Sequence, residues 1–112
     1  MYKEEKHLVQ FRMGKQLRTR IDEKAKASGI SRNTWMINAI TTLADLGRPE
    51  PLAMTASELL ADKVTIPLWL SQDMLDHVDN WCKQAGQSRT LWLLDACTTQ
   101  LARGEADERD HS

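Results

Sequence analysis

The sequence predicts a mainly α-helical protein with a short antiparallel two-stranded β-ribbon, its elements in the order β-α-α-β-α-α. Three observations predict it. The chain repeats itself at an offset of 57 residues, residues 7–47 aligning with 64–104. Each copy opens on a short stretch that alternates between apolar and polar residues. Each such stretch is followed by two helical stripes parted by a glycine turn.

The repeat carries ten identities: Asp22/Asp79, Lys26/Lys83, Gly29/Gly86, Ser31/Ser88, Arg32/Arg89, Trp35/Trp92, Ala39/Ala96, Thr41/Thr98, Thr42/Thr99 and Gly47/Gly104. Apolar positions match as well, among them Val9/Ile66, Phe11/Leu68, Met13/Leu70, Leu17/Met74 and Ile21/Val78. The pattern extends through the whole unit, which marks a duplication.

The first strand is Leu8-Val9-Gln10-Phe11-Arg12-Met13. Val9, Phe11 and Met13 share one face, and Leu8, Gln10 and Arg12 share the other, the period of a half-buried strand. The second is Thr65-Ile66-Pro67-Leu68-Trp69-Leu70, with Ile66, Leu68 and Leu70 inward and Thr65, Pro67 and Trp69 outward. A helix then runs from about Lys15 to Ser28, burying Leu17, Ile21 and Ala25, and stops at Gly29. Its counterpart starts after Ser71, a good N-cap, buries Met74, Val78 and Cys82, and stops at Gly86. The second helix of each repeat starts at Ser31 or Ser88. It turns Trp35, Ala39 and Leu43, or Trp92, Ala96 and Cys97, inward and closes near Gly47 or Gly104.

Residues 48–63 read as a linker. Pro49 and Pro51 end the preceding helix, and Thr55-x-x-Glu58 is a capping box for one short helical turn. The tail, residues 105–112, is polar and reads as disordered.

Composition narrows the function. At 112 residues and 41% apolar, the chain makes one domain or two small units sharing a core. It lacks a run long enough to cross a membrane and a secretory h-region, so the sequence predicts a cytoplasmic protein with no membrane partner. Cys82 and Cys97 fit no zinc or redox spacing and read as buried free thiols, and three scattered histidines predict no metal site. No Ser/His/Asp set, paired carboxylates or phosphate loop stands out, so neither enzymatic activity nor a cofactor is expected. The net charge of −1 hides an asymmetry. Residues 1–48 hold ten Lys/Arg and five Asp/Glu, a net +5; residues 49–112 hold five and eleven, a net −6.

One repeat alone leaves its strand without a partner, and unpaired backbone groups are costly to bury. Two pairings are open. Pairing within the chain is favoured by tethering and by the opposite charges of the halves. Pairing of first repeats between two chains would give a symmetric ribbon with two copies of Gln10 and Arg12.

The stretch V-Q-F-R-M-G, an amphipathic helix, G-I-S-R and a helix opening around Trp35 resembles the ribbon-helix-helix superfamily of Arc-like and methionine-repressor-like DNA-binding proteins. Residues 8–46 carry the resemblance well, and 64–102 less well. It implies a tandem ribbon-helix-helix protein whose ribbon enters the major groove of double-stranded DNA. A transcriptional repressor, or a plasmid or mobile-element accessory factor from a bacterial or phage setting, is the function so implied. Self-association on DNA would accompany it.

Carried over by position, Leu8, Gln10 and Arg12 match base-reading sites, and Thr65 is a further candidate. Arg can donate twice to guanine O6/N7, and Gln can pair with adenine N6/N7. The plainer reading is a solvated strand face. Ser31, Arg32, Ser88 and Arg89 match a phosphate clamp at a helix N-terminus; simple N-capping also explains both serines. Lys15 and Arg18 add candidate phosphate contacts. The second repeat departs from the pattern. Pro67 offers no donor, Asp73, Asp76 and Asp79 repel phosphate, and Trp69 and Trp81 look like exposed protein-contact residues. The alternative function is therefore a protein-interaction module, antitoxin-like or an assembly factor, with weak or lost DNA binding.

Overall fold

The two alternating stretches find each other. In the computed structural model, which describes residues 6–52 and 54–110 and side chains as far as residue 104, β1 (Lys6–Met13) pairs antiparallel with β2 (Val64–Ser71) of the same chain. The register runs from Lys6 opposite Ser71 to Met13 opposite Val64. The helices α1 (Lys15–Ala27), α2 (Arg32–Leu46), α3 (Ala56–Leu60), α4 (Gln72–Ala85) and α5 (Arg89–Asp110) complete the order β-α-α-α-β-α-α. The fold is thus mainly helical around one two-stranded sheet. The short helical turn expected in the linker is α3, where the Thr55 hydroxyl accepts from the Glu58 N–H and the Glu58 carboxylate accepts from the Thr55 N–H.

Alternation decides which face of the ribbon is inside. Val9, Phe11 and Met13 from β1 and Ile66, Leu68 and Leu70 from β2 are all buried. Leu17, Ile21 and Ala25 of α1 and Val78 and Cys82 of α4 pack towards them. Beneath, α2 and α5 lie against each other, with Trp35, Met36, Ala39, Ile40 and Leu43 facing Trp92, Leu93, Ala96, Cys97 and Leu101 in one core. Each large apolar side chain so buried stabilises the fold by about 1.5–3 kcal/mol, which neither repeat collects alone. Both cysteines are free and buried. Burial pushes the Cys97 thiol up to about 12, and burial followed by the nearby Asp79 carboxylate raises that of Cys82.

The duplicated glycine turn is built the same way twice. Gly29 and Gly86 sit in the left-handed region at φ 71° and 66°, where a side chain is strained. Beyond them the Ile30 N–H donates to the Ala25 carbonyl and the Gln87 N–H to the Cys82 carbonyl, both at 3.0 Å.

The starts of α1 and α4 differ. Ser71 caps α4, its hydroxyl accepting from the Met74 N–H at 3.2 Å. Its counterpart at the start of α1 is Gly14, which has no side chain to offer. The linker supplies the acceptors instead: Leu59 C=O takes the Gly14 N–H at 2.7 Å and Ala61 C=O takes the Lys15 N–H at 3.2 Å. Backbone comes so close here that a Cβ on Gly14 would collide with the Leu59 carbonyl. The linker is also fixed to α5, where buried Thr99 accepts from the Glu50 N–H at 2.9 Å and Arg103 pairs with Glu50 at 3.0 Å.

One helix end was misplaced from sequence. α5 does not close near Gly104 but runs on to Asp110, through most of the expected disordered tail; His111 and Ser112 lie outside the described residues. Gly104 is not in the left-handed conformation that stops a helix, and the Glu, Ala and Arg around it favour continuation.

Candidate nucleic-acid interface

The outward face of the ribbon carries, in order, Lys6, Leu8, Gln10 and Arg12 on β1 and Thr65, Pro67 and Trp69 on β2, all exposed. Directly opposed across it are Leu8 and Trp69, Gln10 and Pro67, and Arg12 and Thr65. Strand chemistry brings these pairs close. The N–H and C=O of Trp69 are both taken from outside the ribbon by the Asn33 side chain, at 2.7 and 3.1 Å. Every second residue of β2 therefore turns its backbone groups away from β1, Pro67 included. The outward pairs are the non-hydrogen-bonded kind, whose side chains sit nearest, and the N–H that Pro67 lacks costs no ladder bond.

Four of the base-reading candidates thus lie together: Leu8, Gln10, Arg12 and Thr65 share one exposed surface. Among the described residues, no hydrogen bond or ion pair engages the Gln10 amide or the Arg12 guanidinium, so both are available to a ligand. Trp69 joins them, 46% exposed beside Leu8 at 45%.

The phosphate-clamp candidates are more occupied than the sequence implied. The Ser31 hydroxyl accepts from the Thr34 N–H at 3.1 Å, and the Ser88 hydroxyl from the Leu91 N–H at 3.2 Å, so both act as N-caps. Arg32 is bound to Asp22 at 2.7 Å, and Arg89 to Asp79 at 2.7 Å. These are the same ion pair made twice, tying the first helix of each repeat to the second across the glycine turn. The signal was present in the sequence, since both partners are among the ten identities. Lys15 is exposed at the start of α1, and Arg18 is half-buried one turn on.

Trp81 is not a second exposed tryptophan. It is half-buried, stacked between His77 and Trp92 with ring centres 5.5 Å away on each side. Helical spacing puts positions 77 and 81 on one face; only the packing of α4 on α5 brings Trp92 to that face. Asn33 was missed altogether. Its repeat counterpart is Thr90, and nothing in an isolated helix start marks an amide as a strand clamp.

The Asn33 clamp also fixes where the first turn lies. It sets the start of α2, and with it "GISR", against the strand of the other repeat, beside Trp69. α5 packs in turn across β1. The "GISR" turn thus flanks the strand that the opposite repeat contributes.

Among the described residues no group of three or more His, Cys, Asp or Glu could hold a metal ion, and no helix is long and apolar enough to cross a membrane. Compared with protein-family models, curated proteins and solved structures, the chain matches none.

Proposed function

We propose that this chain is a tandem ribbon-helix-helix protein that binds double-stranded DNA in a sequence-specific way. It would lay the outward face of its internal ribbon in the major groove, as a repressor or a plasmid or mobile-element accessory factor does. The observation that carries the reading is the exposed row of Gln10, Arg12 and Thr65, with amide and guanidinium groups unengaged among the described residues, on a paired two-stranded support. A two-stranded ribbon fits the groove, and these side chains match guanine and adenine edges. Lys15, Arg18 and the helix starts at Ser31 and Ser88 would hold the backbone on either side and fix register. With Arg32 and Arg89 already paired to carboxylates, they serve the scaffold before they serve phosphate.

A second reading, a protein-interaction module, has its own observation in the exposed Leu8/Trp69 pair, since a large aromatic beside an aliphatic residue is a common anchor for protein contacts. Fluorescence anisotropy with duplex DNA from upstream of the protein's own gene, across a salt series, separates the two. DNA binding gives a steep fall in affinity with salt, and Arg12→Ala relaxes sequence preference. If no duplex binds more tightly than a scrambled control, the DNA reading is wrong and the second stands.

A further inference from the structure

The ribbon is a two-fold object whose two ends have become chemically different. Offsetting by 57 takes Gln10 to Pro67, and the register pairs these same two residues. The pseudo-two-fold axis therefore passes through the Gln10–Pro67 pair. It exchanges Leu8 with Thr65 and Arg12 with Trp69, so the Arg12/Thr65 pair at one end becomes the Leu8/Trp69 pair at the other. One end carries a cation and a hydroxyl. Its counterpart carries two apolar side chains.

The flanking charges follow the same division. α1 begins beyond the Arg12/Thr65 end and brings Lys15 and Arg18, and Lys63, with Asp62 before it, immediately precedes β2 there. α4 begins beyond the Leu8/Trp69 end, where the counterparts of Lys15, Gln16 and Thr19 are Gln72, Asp73 and Asp76. Among the described residues, Lys6, opposite Ser71, and Arg32, already paired with Asp22, are cations on this side. Phosphates are attracted at one end and repelled by two carboxylates at the other.

Resting on the DNA reading above, we infer that the target is a non-palindromic site with two unlike halves. The Arg12/Thr65 end reads a guanine-containing half through O6 and N7. The Leu8/Trp69 end meets an A·T-rich half, because the thymine methyl is the one apolar group that the major groove presents. A symmetric ribbon needs an inverted repeat; this one cannot satisfy both halves of an inverted repeat with the same chemistry. Binding has a fixed polarity along the duplex, with the acidic α4 always over the thymine half.

The test is selection of bound duplexes from a randomised double-stranded library, using the full chain and two variants. Wild type should enrich a non-palindromic motif with guanine in one half and thymine in the other. Replacing those thymines by deoxyuridine, which lacks the methyl, should weaken binding about three- to fivefold per methyl lost. Leu8→Thr/Trp69→Arg restores the two-fold relation at exposed positions and should convert the selected motif into an inverted repeat of the guanine half. Arg12→Ala should lose the guanine preference and keep the thymine half. A palindromic motif from wild type overturns the inference and leaves DNA binding intact. Retention of the wild-type motif by the double variant, or indifference to deoxyuridine, overturns the assignment of the ends. No enrichment at all overturns the DNA reading itself and the inference with it. The wild-type selection decides the matter even if the double variant fails to fold, which circular dichroism would reveal.

Discussion

The two repeats share a skeleton and differ in how each is finished. Glycine turns, N-cap serines, the Asp–Arg pairs and the buried strand faces recur at matching positions. The starts of α1 and α4, the strand edges and the outward ribbon face do not. In the first repeat, α1 depends on the linker for its first acceptors; in the second, α4 caps itself. In one direction an asparagine clamps the partner strand; in the other a threonine stands in its place. What recurs is what a two-fold core requires. What diverges is at the surface or at the linker, where a single chain is free to use each copy differently.

This contrast is open to direct tests. The largest effect is expected from Gly14→Ala, which forces a Cβ into the Leu59 carbonyl and displaces the linker from α1. Overpacking of this kind costs about 1–3 kcal/mol, against about 1 kcal/mol for removing the Ser71 cap in Ser71→Ala. Urea denaturation of both variants measures the difference. Equal losses would mean that the linker is not what holds the start of α1.

On the ligand side, Arg12→Ala should cost about 1–3 kcal/mol of discrimination against the wrong base, a loss of about five- to 150-fold. Arg32→Ala should leave that discrimination unchanged, because its guanidinium is held by Asp22. Anisotropy with the selected and scrambled duplexes reads both. A larger loss for Arg32→Ala would move the recognition surface from the ribbon to the turn.

Next comes Asn33→Ala, expected to cost about 1 kcal/mol through the lost strand clamp, with Thr90→Ala close to neutral. Amide exchange gives a local reading: the Trp69 N–H should lose protection in Asn33→Ala, while the inward Leu68 N–H keeps it. The smallest effects belong to Asp22→Asn and Asp79→Asn. Both ion pairs are partly exposed, with side chains 33% and 42% open in the first and 43% and 50% in the second. Each is worth about 0.2–1 kcal/mol, less at high salt. The more sheltered Asp22 pair should lie nearer the upper figure, and melting at two ionic strengths would show it.

Much of this molecule was legible from residue spacing. Period-two alternation identified both buried strand faces, because a strand's side chains have only two directions to point. Glycine followed by serine placed the stop and start of four helices, because those residues solve local backbone problems. The end of α5 was not legible. Gly104 resembles Gly47, yet a glycine stops a helix only where the chain also turns, and nothing turns it there. Trp81 failed for a different reason: its cover, Trp92, comes from another helix.

By itself the sequence determined the repeat, the glycine turns and serine caps within it and the chemistry on each strand face; apart from the repeat, these are properties of neighbours within a few residues. Tertiary structure decided the pairings between distant segments. It joined β1 to β2 within one chain, placed the two-fold axis on Gln10 and Pro67, and engaged Arg32 and Arg89 with carboxylates. It also carried the Gly29–Ser31 turn to the strand of the opposite repeat. Local spacing cannot fix such pairings, since a register shift or an exchange of partners leaves every short-range pattern unchanged. They are settled only when both repeats bury their apolar faces in one shared core.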